Sequence, residues 1–115
     1  MLFAKKYDWI KVAASPDDIA GLDKGIAELQ VEGKQICITA YKGSYYAFSS
    51  HCPHAGGPLA MGELDQKGRI RCPLHGYMFS IRNGFNASGE GYHLPCWPIE
   101  QRTDGVYIGF RKTDE

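Results

Sequence analysis

Two short clusters in this 115-residue chain combine thiol and imidazole donors: Cys52-Pro53-His54 and Cys72-Pro73-Leu74-His75. Written as a pattern they read C-x-H, seventeen residues, then C-x-x-H. Spacings of one and two residues are short enough for both side chains of a pair to reach one metal centre from a tight turn. Gly56-Gly57-Pro58-Leu59 follows the first pair and Gly76 the second. Glycine lets backbone N–H groups come close, and metal-bound sulfur needs such donors. Two Cys and two His also suit a structural zinc ion. Zinc sites usually show C-x-x-C or H-x-x-x-H halves, however, and C-x-H is unusual among them.

The segments that must position these turns read as strands. Tyr7 to Ala13, Ile26 to Val31, Gln35 to Tyr41, Tyr45 to Ser49, Arg69 to Cys72, Tyr77 to Arg82, Cys96 to Gln101 and Val106 to Phe110 are apolar or alternating, and turn signals separate them. Those signals are Glu32-Gly33, Lys42-Gly43-Ser44, Lys67-Gly68, Asn83-Gly84 and Asp104-Gly105. Ile36, Ile38 and Ala40 share one strand face, as do Val106, Ile108 and Phe110. Only Ser15 to Ala20 reads as a helical turn, with Ser15 as N-cap ahead of Pro16. The stretch from His51 to Leu59, rich in Cys, His, Pro and Gly, breaks the strand rhythm as a functional loop does. The expectation is an all-β chain: an antiparallel β-sandwich or partly open barrel, residues 1–115 as a single domain, with a smaller lobe at about 51–92 carrying the two ligand turns.

Composition narrows the function. Hydrophobic residues make up 43% and charged residues 23% of the chain, an ordinary globular balance. Thirteen basic against thirteen acidic residues argue against a nucleic-acid partner. No apolar run approaches the ~20 residues a membrane helix needs. The opening run, Met1 to Trp9, lacks the order of a signal peptide and has no twin arginine. A cytoplasmic location is therefore expected. There, four Cys and four His favour metal ligation over disulfides.

The runs Cys52-Pro53-His54-Ala55-Gly56-Gly57-Pro58-Leu59 and Cys72-Pro73-Leu74-His75-Gly76-Tyr77-Met78-Phe79 resemble the two cluster-binding boxes of Rieske iron–sulfur proteins. Trp9 to Ala13, Tyr45 to Phe48 and Val106 to Ile108 resemble the small soluble Rieske ferredoxins. The resemblance implies a [2Fe–2S] cluster, with Cys52 and Cys72 on one iron and His54 and His75 on the other. By formal counting, two thiolates and two neutral imidazoles leave the oxidised cluster uncharged, whereas four thiolates leave it a dianion. Reduction is then easier, which raises the potential into a range of roughly −150 to +300 mV. Cys37 and Cys96 read as inert, partly buried thiols, His51 as a loop hydrogen-bonder and His93 as a structural residue.

The chain also departs from the pattern of the respiratory and photosynthetic members. Their extra Cys in each box falls here on Gly57 and Leu74, which rules out that disulfide. Their Ser and Tyr hydroxyls fall on Tyr77 and Phe79, and the covering loop Ser88 to Tyr92 lacks a Gly-Pro start. These differences point to the soluble ferredoxin class.

A one-electron carrier between a reductase and an oxygenase, not itself an enzyme and expected to be a monomer, follows from the resemblance. A Rieske-like small subunit of a reductase such as nitrite reductase is the alternative, and a zinc-stabilised interaction domain is the reading from another class. Docking is expected at the lobe tip through Pro58, Leu59, Met61 and Tyr92. Four basic and three acidic residues between positions 51 and 92 make steering modest. With the second hydroxyl absent and the first replaced by a bulkier phenol, the midpoint potential is expected near the low end of the Rieske range, on the order of −150 mV. Protein-film electrochemistry giving a clearly positive midpoint at neutral pH would contradict this.

Overall fold

The structure is a computed structural model that describes residues 6–112. The opening residues weighed above, Met1 to Lys5, lie outside the described residues. Ten antiparallel strands form three sheets: β1 (Tyr7–Ala13), β2 (Ile26–Val31), β3 (Lys34–Tyr41), β4 (Ser44–Ser49), β5 (Glu63–Leu64), β6 (Arg69–Arg71), β7 (Met78–Ser80), β8 (Cys96–Trp97), β9 (Ile99–Arg102) and β10 (Gly105–Arg111). Their orders are β1-β10-β9, β2-β3-β4-β8 and β5-β6-β7, and none closes into a barrel. The chain is thus all-β, as expected.

The four-stranded sheet is the middle layer. On one face Ala27, Val31, Ile36, Ile38 and Ala47 pack with Val106 and Ile108 of the first sheet, forming the sandwich core. On its other face Cys37 and Phe48 pack with Ile70, Phe79, Leu59, Cys52 and Cys72, the core of the small lobe. Cover on both faces explains why Ile36, Cys37, Ile38 and Thr39 are buried in succession, where one-sided cover would bury alternate residues. Thr39 can be there because its hydroxyl donates to the Gly25 carbonyl at 2.7 Å. Ala40, expected on the face of Ile36 and Ile38, is exposed at the strand end.

The hairpin turns follow their sequence signals. Glu32 and Gly33 take φ of 52° and 78°, and Lys42 and Gly43 take 51° and 82°, the twist that two-residue hairpins need. The strand expected from Cys96 to Gln101 is instead broken at Pro98. β8 pairs with β4 of the middle sheet and β9 with β10 of the first. Proline has no N–H for a ladder, so the chain changes layer there. The strand expected from Tyr77 to Arg82 shrinks to Met78–Ser80 because Tyr77 belongs to a ligand turn. Beyond it, the Gly84 N–H bonds back to the Ser80 carbonyl at 2.8 Å. Ser15 does sit at the start of a short helical turn, Pro16–Asp18, but makes no side-chain cap. Its hydroxyl donates to the Asp18 carboxylate instead, at 3.4 Å.

β5 escaped the sequence reading because two residues give no periodicity. It completes the hairpin that joins the ligand turns, and Asp65 fixes that hairpin. Its carboxylate accepts from the Lys67 and Arg69 N–H groups at 2.9 and 3.0 Å and pairs with the Arg69 side chain at 2.6 Å. The Tyr41 hydroxyl, 2.6 Å from the Gln66 carbonyl, ties the hairpin to the middle sheet.

Phe48 links the middle layer to the lobe with no exposed surface. Phe48→Ala is expected to cost about 3–5 kcal/mol in denaturant unfolding. Phe85→Ala, at a ring 66% exposed, should stay within about 0.5 kcal/mol. Equal effects would contradict this placement of the core.

Candidate functional site

The two ligand turns repeat one backbone design. The Cys52 N–H donates to the Gly57 carbonyl at 2.9 Å, and the Cys52 carbonyl accepts from Gly56 N–H at 2.8 Å. The Cys72 N–H donates to the Tyr77 carbonyl at 2.8 Å, and its carbonyl accepts from Gly76 N–H at 3.0 Å. Each ring closes because the residue four after the cysteine is a glycine, with φ of 74° at Gly56 and 76° at Gly76. The repeated C-x-x-x-G was visible in the sequence and went unread. The turns hang from the strand frame, with Ser50 N–H on the Gln35 carbonyl and Leu59 N–H on the Ser50 carbonyl.

This design brings the four sequence-predicted donors together. Cys52 and Cys72 are each 2% exposed and belong to the lobe core. His54 is half-buried and His75 exposed, with ring centroids 5.0 Å apart. Their Nδ1 atoms face each other at 3.4 Å. Two imidazole nitrogens at that separation need a proton, or a cation that both can coordinate, between them. Among the described residues no three His, Cys, Asp or Glu side chains surround a single ion position. A two-iron cluster instead asks for two pairs, and the thiols inside with the imidazoles outside offer them.

Burial pushes the Cys52 thiol up, while the His54 and Ala55 backbone N–H groups pull it down by pointing at the sulfur; the nearby Cys72 raises it again, and the net shift is upward. Those N–H groups are the donors a metal-bound thiolate requires. Space at the sulfurs is also reserved: a Cβ on Gly57 would lie 2.7 Å from Cys72 Sγ and 3.0 Å from the Leu74 side chain.

Aromatic rings enclose the exposed side. Tyr77 stacks on His54 with centroids 4.3 Å apart and planes at 27°. Tyr92 lies 5.4 Å from His54 and 5.8 Å from Tyr77. Burial, followed by the Glu90, Tyr92 and Cys52 charges, raises the Tyr77 phenol, so it stays neutral at ordinary pH. The sequence places Tyr77 beside a ligand turn but does not reveal the stack, since nothing in a one-dimensional pattern pairs position 77 with 54.

The remaining thiols and imidazoles lie apart. Cys37 is fully buried, and burial, with a smaller contribution from Glu28, pushes its thiol up to about 12. Burial pushes Cys96 up to about 11, and its sulfur approaches the Leu94 carbonyl at 3.5 Å. Both read as inert structural thiols. His51 Nδ1 is 3.3 Å from the Ser50 hydroxyl, and His93 Nε2 is 3.0 Å from the Asn83 carbonyl, so both are loop hydrogen-bonders. Leu59 corrects the docking expectation. It is fully buried in the lobe core, because the Leu59–Met61 helical turn points it inward, whereas Met61 (76%), Leu74 (53%) and Tyr92 (40%) are exposed.

Residues 8–98 match the Rieske [2Fe–2S] domain. The chain belongs to that family, whose members bind a [2Fe–2S] cluster. Apoptosis-inducing factor 3 of Homo sapiens is 34% identical over 74 residues, covering 64% of this chain and only 12% of the relative's length. The ferredoxin component of the naphthalene 1,2-dioxygenase system of Pseudomonas putida is 32% identical over 76 residues, covering 66% of this chain and 69% of the relative. A chain from the complex of reduced oxygenase and oxidized ferredoxin in carbazole 1,9a-dioxygenase is similar with a TM-score of 0.74 at 28% identity, over 93% of this chain and 97% of that one. No helix among the described residues is long and apolar enough to cross a membrane.

Because a methyl group at position 57 would overlap Cys72 Sγ, Gly57→Ala is expected to lower the iron and acid-labile sulfide content of the purified protein while the fold persists by circular dichroism. Full cluster content in that variant would show that the reserved space is not used by the cluster.

Proposed function

We propose that Cys52 and Cys72 hold one iron, and His54 and His75 the other, of a [2Fe–2S] cluster through which the chain carries single electrons. The observation that supports this most is the convergence of the four side chains from two turns of matching design, thiols buried and imidazoles at the surface. The bound cluster supplies one-electron chemistry. The chain's residues do the rest. The apolar lobe core shields the sulfur side, the backbone N–H groups of His54 and Ala55 favour negative charge on sulfur, and the histidines form the short exit to a partner.

The donor is a reductase and the acceptor an oxygenase, supported by likeness to a dioxygenase ferredoxin component over two thirds of that protein. On this reading the chain turns over no substrate itself, acts as a monomer in the cytoplasm, and folds over residues 1–115 as one domain with its cluster lobe at about 51–92. Docking at the lobe tip falls to the exposed Pro58, Met61 and Tyr92, with Leu74 in place of the buried Leu59.

Cys52→Ala, His54→Ala, Cys72→Ala and His75→Ala are each expected to remove the cluster's visible spectrum, while Cys37→Ala and Cys96→Ala keep it. Metal analysis of the wild type should return iron and sulfide. Zinc in their place, or loss of the spectrum in a Cys37 or Cys96 variant, would overturn the ligand assignment.

A further inference from the structure

The cover over His54 is made by a segment that holds no proline between Phe85 and Leu94. It carries Gly89 and Gly91, whose φ values are 87° and 88° and whose missing Cβ atoms would meet nothing within 4 Å. Backbone of that kind does not hold a ring in place by itself. One buried polar side chain lies behind it. Asn86 is 6% exposed, and its Nδ2 sits 3.0 Å from the Met78 carbonyl, 3.2 Å from the Ser88 hydroxyl and 3.0 Å from the Glu90 carboxylate. Its Oδ1 accepts from the Tyr92 N–H at 3.3 Å. The Met78 N–H donates to the Ser88 hydroxyl at 2.9 Å, and that hydroxyl donates in turn to Glu90.

We propose that Asn86 is a positioning residue: its amide clamps the 86–92 segment to the end of β7 and thereby keeps the Tyr92 ring over His54 and Tyr77, so that Asn86 controls water and small-molecule access to the metal site through Tyr92. The inference rests on the assignment of His54 as a ligand. The clamp spans both partners that matter. One amide end grips the Met78 backbone, immediately after the Tyr77 that stacks on His54, and the other holds the backbone of Tyr92 itself. The Ser88 hydroxyl and then the Asn86 amide also hold the Glu90 carboxyl below its ordinary range. A buried amide with every polar atom satisfied is costly to disturb, which makes it a firm anchor for an otherwise loose segment.

The test compares reduced, cluster-loaded wild type with Asn86→Ala, Tyr92→Ala, Tyr92→Phe and the Asn86→Ala/Tyr92→Ala double variant, reading the rate of oxidation by ferricyanide and the midpoint potential. Asn86→Ala should speed oxidation about fivefold, the change in opening equilibrium expected from one net hydrogen bond, and Tyr92→Ala, which removes the covering ring itself, should speed it at least as much. Both should raise the potential, since water then stabilises the more negative reduced state. Tyr92→Phe should match wild type, because the ring and not the hydroxyl provides the cover. The double variant should equal Tyr92→Ala alone, since Asn86 acts through Tyr92. An Asn86→Ala protein with lower stability but unchanged rate and potential would overturn the proposal, as would multiplied effects in the double variant. If Asn86→Ala does not retain its cluster, Ser88→Ala removes the exposed half of the same clamp without changing any charge and carries the same expectation. Failure of the ligand assignment shows separately, as wild-type protein without iron and sulfide.

Discussion

Two thiols buried beneath two imidazoles are the constraint on which the rest of the structure depends. Cys52 and Cys72 sit in an apolar core at 2% exposure, where a bare thiolate is heavily penalised. The upward shift of Cys52 is that penalty at work, partly offset by backbone N–H groups directed at its sulfur. A bound cation makes thiolate charge acceptable in such a place, so metal binding adds to the stability of the lobe. The histidines face the opposite demand. They must reach the same centre while staying near the surface, and a one- or two-residue offset from each cysteine along a tight turn achieves this.

Everything around the site holds those turns in register. The middle sheet lends one face to the sandwich and the other to the lobe, so Cys37 and Phe48 lie directly under the cysteine turns. The Asp65-braced hairpin sets the distance between the turns, and Tyr41 ties it to the middle sheet. The sandwich contributes rigidity at a distance, while the chemistry is confined to two six-residue rings and the segment that covers them.

The strands of the sandwich were legible because their apolar residues recur with a clear period and their turns carry Gly after Glu32, Lys42 and Asp104. The four donors were legible because thiol and imidazole at such spacing have few other uses. The rest depended on contacts between positions far apart in sequence. No local pattern reveals that Pro98 moves the chain from one layer to another, that Leu59 points inward from a single helical turn, or that Tyr77 stacks on a histidine 23 positions earlier. The brace from Asn86 was hidden for the same reason: an Asn among Gly and Ser in a loop looks like a turn residue until its burial is known.

Histidine ligation is the claim from which the electron-carrier reading follows. It is tested most directly by pulsed electron paramagnetic resonance on dithionite-reduced protein carrying 15N only in histidine. Ligation by His54 and His75 predicts two strongly coupled histidine nitrogens on the reduced iron. A reduced cluster with no strongly coupled histidine nitrogen would contradict it.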